Sequence, residues 1–263
     1  APNVADAMST IILSNIFSFG KELPFAKARD SIKYSVFKMK AQKAAMIYQN
    51  VFSRLAREYG ATIIAGTILL PSPYIKEGKL EIGGGNLYNI SVVYQPDGRA
   101  YDNIIRKVYL TKEEQLFISG GSVDDLPVFD TPAGRLGVLI CADSWVSACY
   151  AVLKEKKADI IAVPSYIPIE DGLKRVWPGY SGMDSPDDVS RKHINKITEG
   201  EAWRKYALQN KIKESCARYG INVFLRGKFW DMGTDGYITI VDRGRVIETK
   251  NTKGATMVNF WLP

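Results

Sequence analysis

The sequence predicts an α/β fold in which helices enclose a mixed sheet. Apolar residues recur three and four positions apart from Ala44 to Tyr59, which predicts an amphipathic helix that ends at Gly60. Short β-branched runs bounded by Pro and Gly predict strands. Some of these strands alternate with helices, and others pair as hairpins around turns such as Pro96-Asp97-Gly98. A sheet that combines both connections has parallel and antiparallel neighbours.

The remaining elements follow in chain order. Helices are predicted over residues 3–17, from near Ala26, over 146–157 and over 201–219. Strands are predicted over residues 62–70, 89–95, 128–130, 159–163, 221–226, 237–242 and 246–250, and in the run that ends at Cys141. The Gly-rich stretch 72–85 is predicted to be a loop. Residues 167–200 are dense in Pro, Gly, Asp and Ser, which is typical of a long loop that covers a site or of a disordered segment.

Composition limits the classes of function. The 263 residues are 46% hydrophobic, enough for a sizeable core. The 35 basic and 28 acidic residues are scattered, with no basic stripe, which argues against a nucleic-acid partner. The apolar run Met8–Phe19 is short and broken by serines, so no membrane segment is expected. The three cysteines have neither metal-ligand spacing nor a disulfide pattern, so we expect no metal site and a cytoplasmic location.

Cys141 lies where the predicted strand from Arg135 ends and helix-capping residues begin. The unpaired N–H groups at a helix start stabilise an anion, so they lower the pKa of a thiol placed there. This location favours a nucleophile. The alternative is that Cys141 is one more small buried residue.

A second motif runs from Ile105 to Glu114 and precedes the turn Ser119-Gly120-Gly121. Together with the cysteine strand it resembles the carbon-nitrogen hydrolase, or nitrilase, superfamily. Comparable segments keep the family's order from about Leu55 to Val246. The resemblance implies a nitrilase-like α-β-β-α sandwich with mixed sheets. It also implies one domain over residues 1–263, in which 167–200 is a loop-rich insertion.

The same resemblance implies the catalytic residues. Cys141 matches the nucleophile that attacks an amide or nitrile carbon, and Lys107 matches the family lysine. An ammonium near the attacked carbon stabilises an oxyanion and favours the thiolate. Glu114 matches an auxiliary carboxylate better than Glu113 does. The alternative for Lys107 is an ordinary exposed lysine. The alternative for Glu114 is that residues 112–114 form a charged surface run.

Four residues are expected to contact substrate. The backbone N–H of Ala142 is expected to help hold the oxyanion, and Trp145 stands where many members have arginine. Ser165 and Tyr166 follow the end of a strand, where ligands of α/β proteins gather. Asp143 matches a family acid, but a helix N-cap explains it equally well.

Two features of the sequence leave alternatives open. Family members carry a glutamate base after a first strand, and neither Glu22 nor Glu58 matches it. The resemblance therefore implies that this strand and its glutamate lie ahead of Ala1, or that the base has been lost. His193, the one histidine of the sequence, could instead pair with Cys141 as in a thiol protease.

The sequence therefore predicts a thiol-dependent hydrolase that cleaves a non-peptide C–N bond, in an amide rather than a nitrile, through an acyl-enzyme on Cys141. The substrate is expected to be a small molecule, with no cofactor. A homodimer or larger homo-oligomer is expected from the family. The alternative is a catalytically inactive nitrilase-like binding or interaction subunit.

Overall fold

The computed structural model describes residues 1–182, 184–227, 229–249 and 254–262. The chain forms two compact units, Ala1–Pro127 and Val128–Pro263. Each unit is described by itself below. The assignment of both units to one domain stays a prediction.

The first unit begins with three helices, α1 (Val4–Leu13), α2 (Ile16–Glu22) and α3 (Ser31–Tyr59). Asp30 caps the start of α3, because its carboxylate accepts the N–H of Lys33 at 3.0 Å. Gly60 ends the helix as predicted, with a left-handed φ of 56° that places its N–H on the carbonyls of Ala56 and Arg57. The predicted helices from near Ala26 and from Ala44 are one continuous helix that begins at Ser31.

Seven short strands complete the first unit: β1 (Ile63–Ile64), β2 (Ile68–Pro71), β3 (Tyr74–Lys76), β4 (Lys79–Glu81), β5 (Leu87–Ser91), β6 (Val93–Tyr94) and β7 (Ile105–Arg106). Strands β2, β5 and β7 form an antiparallel sheet in that order, and β1 pairs with β6. The loop predicted over residues 72–85 is wrong in part. It contains the hairpin β3–β4, which turns at Glu77-Gly78 with both φ values positive.

The core of the first unit lies between α3 and these strands. The Tyr48 ring packs edge-on against Phe52 at 4.8 Å, and Phe52 stacks on Tyr94 at 6.3 Å. The buried Tyr48 hydroxyl donates to the carbonyl of Gly66 at 2.7 Å and accepts the N–H of Val92 at 3.3 Å. Burial raises the pKa of the Tyr48 phenol well above its usual value. The helix is therefore fastened to the strands by apolar contact and by satisfied polar groups.

The described residues of the second unit form six strands and three helices: β8 (Val128–Thr131), β9 (Gly134–Val138), α4 (Ser147–Glu155), β10 (Ile160–Ser165), α5 (Glu199–Tyr206), α6 (Leu208–Lys211), β11 (Tyr219–Phe224), β12 (Thr239–Asp242) and β13 (Arg245–Glu248). The strands form one sheet in the order β13-β12-β11-β10-β9-β8. Strands β9, β10 and β11 are parallel, and the outer pairs are antiparallel. The mixed sheet predicted from the sequence is confirmed.

Two segments of the second unit differ from the prediction. The helix predicted over residues 201–219 is wrong beyond Glu214, since α5 and α6 are followed by a short 3-10 helix and then by β11. In residues 167–182 and 184–198 the regular structure is two 3-10 helices, Gly172–Lys174 and Arg191–His193. Trp177 in this segment is only 1% exposed, so the loop carries part of the core. Lys250, the predicted end of the last strand, lies outside the described residues.

None of the helices in the described ranges combines the length and the apolar character that crossing a membrane requires.

Candidate active site

Lys107 directly follows β7 in the first unit. Its N–H donates to the carbonyl of Asn89 on β5 at 2.8 Å, and its own carbonyl accepts the N–H of Gly121 at 2.9 Å. The side chain is only 3% exposed, and its ammonium Nζ lies 2.5 Å from Oε2 of Glu114. The alternative of an ordinary surface lysine is therefore wrong. A buried ammonium needs such a partner, because desolvation otherwise disfavours its charge.

Glu114 begins a 3-10 helix just past Lys107. Its Oε2 also accepts the N–H of Thr111 at 2.8 Å, while the Glu114 N–H donates to the Thr111 hydroxyl at 3.3 Å. This reciprocal pair has the pattern of a capping box, and it fixes the direction of the Glu114 carboxylate. Lys112 and Glu113 are exposed, which separates Glu114 from the charged run that contains it.

Asn89 is a member of this site that sequence reasoning missed. Its side-chain Nδ2 donates to Oε1 of Glu114 at 3.1 Å. We use "Lys107 network" for Lys107, Glu114, Asn89 and Thr111. The alignment of β5 with the lysine strand could have revealed Asn89, but strand register is poorly defined by the sequence of such short strands.

Cys141 lies at a sharp turn in the second unit. The chain leaves β9 at Val138, and the N–H of Leu139 still bonds to the carbonyl of Ala162 on β10 at 2.9 Å. Cys141 then takes a left-handed φ of 51° and starts the 3-10 helix Cys141–Trp145. Such a conformation is strained for a residue with a Cβ, and strained residues cluster at functional sites.

Hydrogen bonds hold this turn closed. The Asp143 carboxylate accepts the N–H of Ile140 at 3.1 Å, and the Ser144 hydroxyl donates to the carbonyl of Cys141 at 2.7 Å. Asp143 therefore has a structural task, although it performs it as the third residue of the 3-10 helix and not as the predicted N-cap. The helix predicted from Val146 is confirmed as α4, but the first helical turn is a 3-10 helix that already begins at the cysteine.

Trp145 closes the same turn and is only 3% exposed. Its ring contacts four other aromatic rings, with centroid distances of 5.2 to 6.1 Å: Trp177, Tyr180, Trp203 and Tyr206. We call Trp145 and these four residues the aromatic cluster. Half-buried Cys141 packs against the same hydrophobic core as the aromatic cluster. The Tyr180 hydroxyl donates to the carbonyl of buried Ala142 at 3.3 Å. A substrate contact by Trp145 stays a prediction.

Ser165 and Tyr166 lie at the carboxyl end of β10, as the sequence indicates. Ser165 is buried, and its hydroxyl has no hydrogen-bond partner among the described residues. The Tyr166 hydroxyl donates to the carbonyl of Gly233 at 3.3 Å, and burial raises the pKa of this phenol. Their contact with substrate also stays a prediction.

The other titratable candidates have defined partners. His193 Nδ1 forms a short hydrogen bond with the Tyr206 hydroxyl, which also accepts the N–H of Ser190 at 3.2 Å. The two glutamates considered for the family base lie in ion pairs, Glu22 with Lys38 at 3.9 Å and Glu58 with Arg54 at 3.6 Å.

The remaining two cysteines occupy contrasting sites, and all three cysteines are thiols. Cys149 is completely buried on α4, and burial with the nearby Asp143 carboxylate raises the pKa of its thiol well above its usual value. Cys216 is exposed and donates to the carbonyl of Ala158 at 3.3 Å. Within the described part of the chain, no group of three or more His, Cys, Asp or Glu side chains is arranged to hold a metal ion.

Known proteins resemble this chain in sequence. The probable hydrolase YhcX of Bacillus subtilis is 28% identical over 129 residues, which are 49% of this chain and 23% of YhcX. A nitrilase of Pyrococcus abyssi is 33% identical over 111 residues, which are 42% of this chain and 37% of that enzyme. The chain thus matches well under half the length of either relative.

Solved structures resemble its fold. An amidase from Nesterenkonia sp. AN1, in complex with butyramide, superposes with a TM-score of 0.56 at 13% identity, over 86% of this chain and 69% of that one. Another structure of that amidase, with acrylamide added at the active-site cysteine, gives 0.53 at 14% identity, over 80% and 66%. At these identities the likeness concerns the fold alone, and it confirms a nitrilase-like α/β fold with mixed sheets.

The family model of carbon-nitrogen hydrolases matches residues 36–204. That range is more than half of the chain, and it includes both the Lys107 network and the Cys141 turn. The chain belongs to the carbon-nitrogen hydrolase family.

Proposed function

We propose that this protein hydrolyses a non-peptide C–N bond in a small molecule, an amide rather than a nitrile, with Cys141 as nucleophile. The observation that carries the proposal is the left-handed turn at Cys141, which follows a strand of a parallel pair and starts a helical turn. Such a turn presents a side chain away from regular backbone pairing, and the N–H groups of the helical turn favour an anion.

In the proposed reaction the sulfur of Cys141 attacks the amide carbon, and the C=O electron pair moves to oxygen. The Lys107 ammonium and the Ala142 N–H stabilise that oxyanion. The C–N bond then breaks as the nitrogen takes up the proton that the thiol gave to a base, and a thioester remains on Cys141. Water attacks the thioester, and the C–S bond breaks to release the acid and restore the thiol.

Glu114 has a supporting part in this proposal. Its carboxylate lies 2.5 Å from the Lys107 ammonium, which favours the charged form of the lysine that an oxyanion requires. The resemblance assigns the base to a glutamate, and we assign that task to none of the described residues. Trp145, Ser165 and Tyr166 are proposed to contact the substrate.

We further propose that residues 1–263 belong to one catalytic domain with 167–200 as a loop-rich insertion. The spacing of the three cysteines, which forms neither a metal-ligand nor a disulfide pattern, supports the proposed cytoplasmic location. A homodimer or larger homo-oligomer is proposed from the family resemblance. Sedimentation velocity of the protein would test the last of these proposals, since a monomer at micromolar concentration would contradict it.

The experiment for the reaction combines turnover with mass spectrometry. The protein carrying Cys216→Ser, which removes the exposed thiol, is incubated with acetamide, butyramide, acrylamide and the corresponding nitriles. We expect ammonia release and an adduct that peptide mapping assigns to Cys141, and neither in the matched Cys141→Ala variant. Turnover that persists in Cys141→Ala would contradict the proposed nucleophile.

A second candidate function is a nitrilase-like binding or interaction subunit without catalysis. It is favoured by the sequence itself, in which no glutamate matches the family base. If neither turnover nor an adduct forms with any amide or nitrile of the panel, this second function is the better one.

A further inference from the structure

Asn89 and Lys107 are cross-strand neighbours in the first unit. Ile90 pairs with Arg106 in the antiparallel register of β5 and β7, so the next pair along is Asn89 with Lys107. The backbone confirms this pair, since the Lys107 N–H donates to the Asn89 carbonyl at 2.8 Å. Residues directly opposite in an antiparallel pair place their side chains on the same face. Asn89 and Lys107 therefore share one face of the sheet.

Both side chains bind the same carboxylate, through different oxygens. Oε2 of Glu114 takes the Lys107 ammonium and the Thr111 N–H, while Oε1 takes Nδ2 of Asn89 at 3.1 Å. Three donors from separate parts of the chain thus fix both the position and the plane of the carboxylate. Because Asn89 binds the other oxygen, Oε1, it opposes rotation of the Glu114 carboxylate about its Oε2 contacts.

The other end of the Asn89 amide carries a cost in stability. Its Oδ1 is buried and has no hydrogen-bond partner among the described residues. A buried acceptor without a partner costs free energy that an apolar side chain on the same strand would avoid. Groups that break a folding rule in this way are typical of functional sites.

We propose that Asn89 is a positioning residue of the Lys107 network, which holds Glu114 so that the Lys107 ammonium stays charged and oriented. The inference rests on the proposed function and deepens it. Asn89 acts through Glu114 and Lys107 on the oxyanion that forms during attack. Its loss therefore weakens an interaction made in the transition state, so kcat falls while KM changes little.

The first test is the kinetics of Asn89→Ala on the amide that the wild type hydrolyses best. Loss of a hydrogen bond to a charged group predicts a decrease in kcat of about 10- to 100-fold, with KM within about threefold. Ser91→Ala is the matched control. Ser91 lies two residues along β5 on the same face and donates to the Ala65 carbonyl at 2.7 Å, so its loss is expected to leave kcat unchanged.

The second test is the pH dependence of Asn89→Asp, which keeps the shape of the side chain. Protonated, the new carboxyl donates its O–H to Glu114; ionised, it repels Glu114. The charged groups at this site are Glu114 and Lys107, which already pair with each other. Ionisation of the new acid therefore adds an unbalanced negative charge, which raises its pKa. The activity relative to wild type is therefore expected to rise as pH falls, whereas the ratio for Asn89→Ala stays flat.

Reference variants separate this inference from the proposed function. If the wild type neither hydrolyses an amide nor forms an adduct, the proposed function fails and this inference fails with it. If the wild type is active and Glu114→Gln is slow, but Asn89→Ala matches the wild type or the Asn89→Asp ratio is flat, this inference alone is overturned. Circular dichroism establishes that each variant is folded, and Asn89→Ser replaces Asn89→Ala if that variant is not.

Discussion

The Lys107 network and the Cys141 turn each hold one side chain in a fixed position, but by different interactions. In the first unit, charged side chains are held by one another, with Lys107 on Glu114 and Glu114 on Asn89. In the second unit the backbone does the holding, since Cys141 has a left-handed φ of 51° and packs against the core that contains the aromatic cluster. The long, flexible side chain of lysine needs polar partners to keep its ammonium in one position, whereas the short side chain of cysteine is positioned by its own backbone. The two regions should therefore respond differently to substitution.

The largest expected effect is loss of the thiol. Cys141→Ala should lower kcat/KM by roughly 10³- to 10⁶-fold, because removal of a nucleophile removes the covalent route. The thermal midpoint should change little, since half-buried Cys141 contributes limited apolar contact. Steady-state kinetics and calorimetry measure the two quantities. A decrease of tenfold or less would mean that the turn is not the site of attack.

Loss of the ammonium should have the next largest effect, on activity and stability together. Lys107→Met should lower kcat by about 10²- to 10³-fold as an oxyanion partner is lost. It should also lower the free energy of unfolding by about 1–3 kcal/mol, because Glu114 keeps a largely buried charge without its cation. Exposed Glu113, replaced by Gln, is the control and should change neither quantity. A stable Lys107→Met protein would show that backbone contacts alone hold this site.

The second unit contains a glutamate whose environment makes the stability of the protein depend on pH. Glu199 on α5 is partly buried beside Trp203, whose indole N–H donates to its carboxylate at 3.1 Å. Desolvation raises the pKa of Glu199 to about 7, against the lowering effect of that hydrogen bond. The folded protein then binds more protons than the unfolded chain between about pH 4.5 and 7, so its stability falls as pH rises through this range.

Glu199→Gln should remove that dependence. We expect the variant to match the wild type near pH 4.5 and to exceed it by about 2 kcal/mol at pH 8, after allowance for partial exposure of the group. Urea unfolding followed across this range measures the difference. Exposed Glu155 offers the matched Gln control. Equal pH profiles for Glu199→Gln and the wild type would contradict the stated environment of this carboxyl.

The smallest expected effect isolates the backbone of the turn. Cys141→Gly and Cys141→Ala both lack the thiol, but only glycine adopts a left-handed φ without strain. Relief of strain outweighs the larger entropy of glycine in the unfolded chain, so Cys141→Gly should be more stable by about 1 kcal/mol. Chemical unfolding of the two variants gives the value. If Cys141→Ala is the more stable, the turn stores no strain.

Local chemistry in the sequence predicts much of the fold. Gly60 ends α3 because a helix C-terminus favours a residue with positive φ, and Arg243-Gly244 turns β12 into β13 for the same reason. The sequence does not predict the β3–β4 hairpin, because its turn residues, Glu77 and Gly78, lie in a charged Gly-rich stretch that is typical of a loop. The predicted helix over residues 201–219 is longer than the observed helices, because the apolar residues around Tyr219 are compatible with a buried strand as well as with a helix.

The candidate site divides in the same way. The position of Cys141 after a strand follows from the residue pattern, and the choice of Glu114 over Glu113 follows from the family resemblance. The φ of Cys141 does not, because a backbone conformation stored at a functional residue has no signature in residue type. Identification of Asn89 as a site residue requires the register between β5 and β7, which is a long-range property of the folded sheet.

The aromatic cluster gives the protein a built-in optical reporter. All five tryptophans of the sequence follow Val128, so the tryptophan absorption belongs to the second unit. Trp145, four positions past the cysteine, has its ring centroid within 6 Å of those of Trp177 and Trp203, close enough for their excited states to couple. Emission and near-ultraviolet ellipticity should thus follow events at Cys141 in real time, without an attached dye.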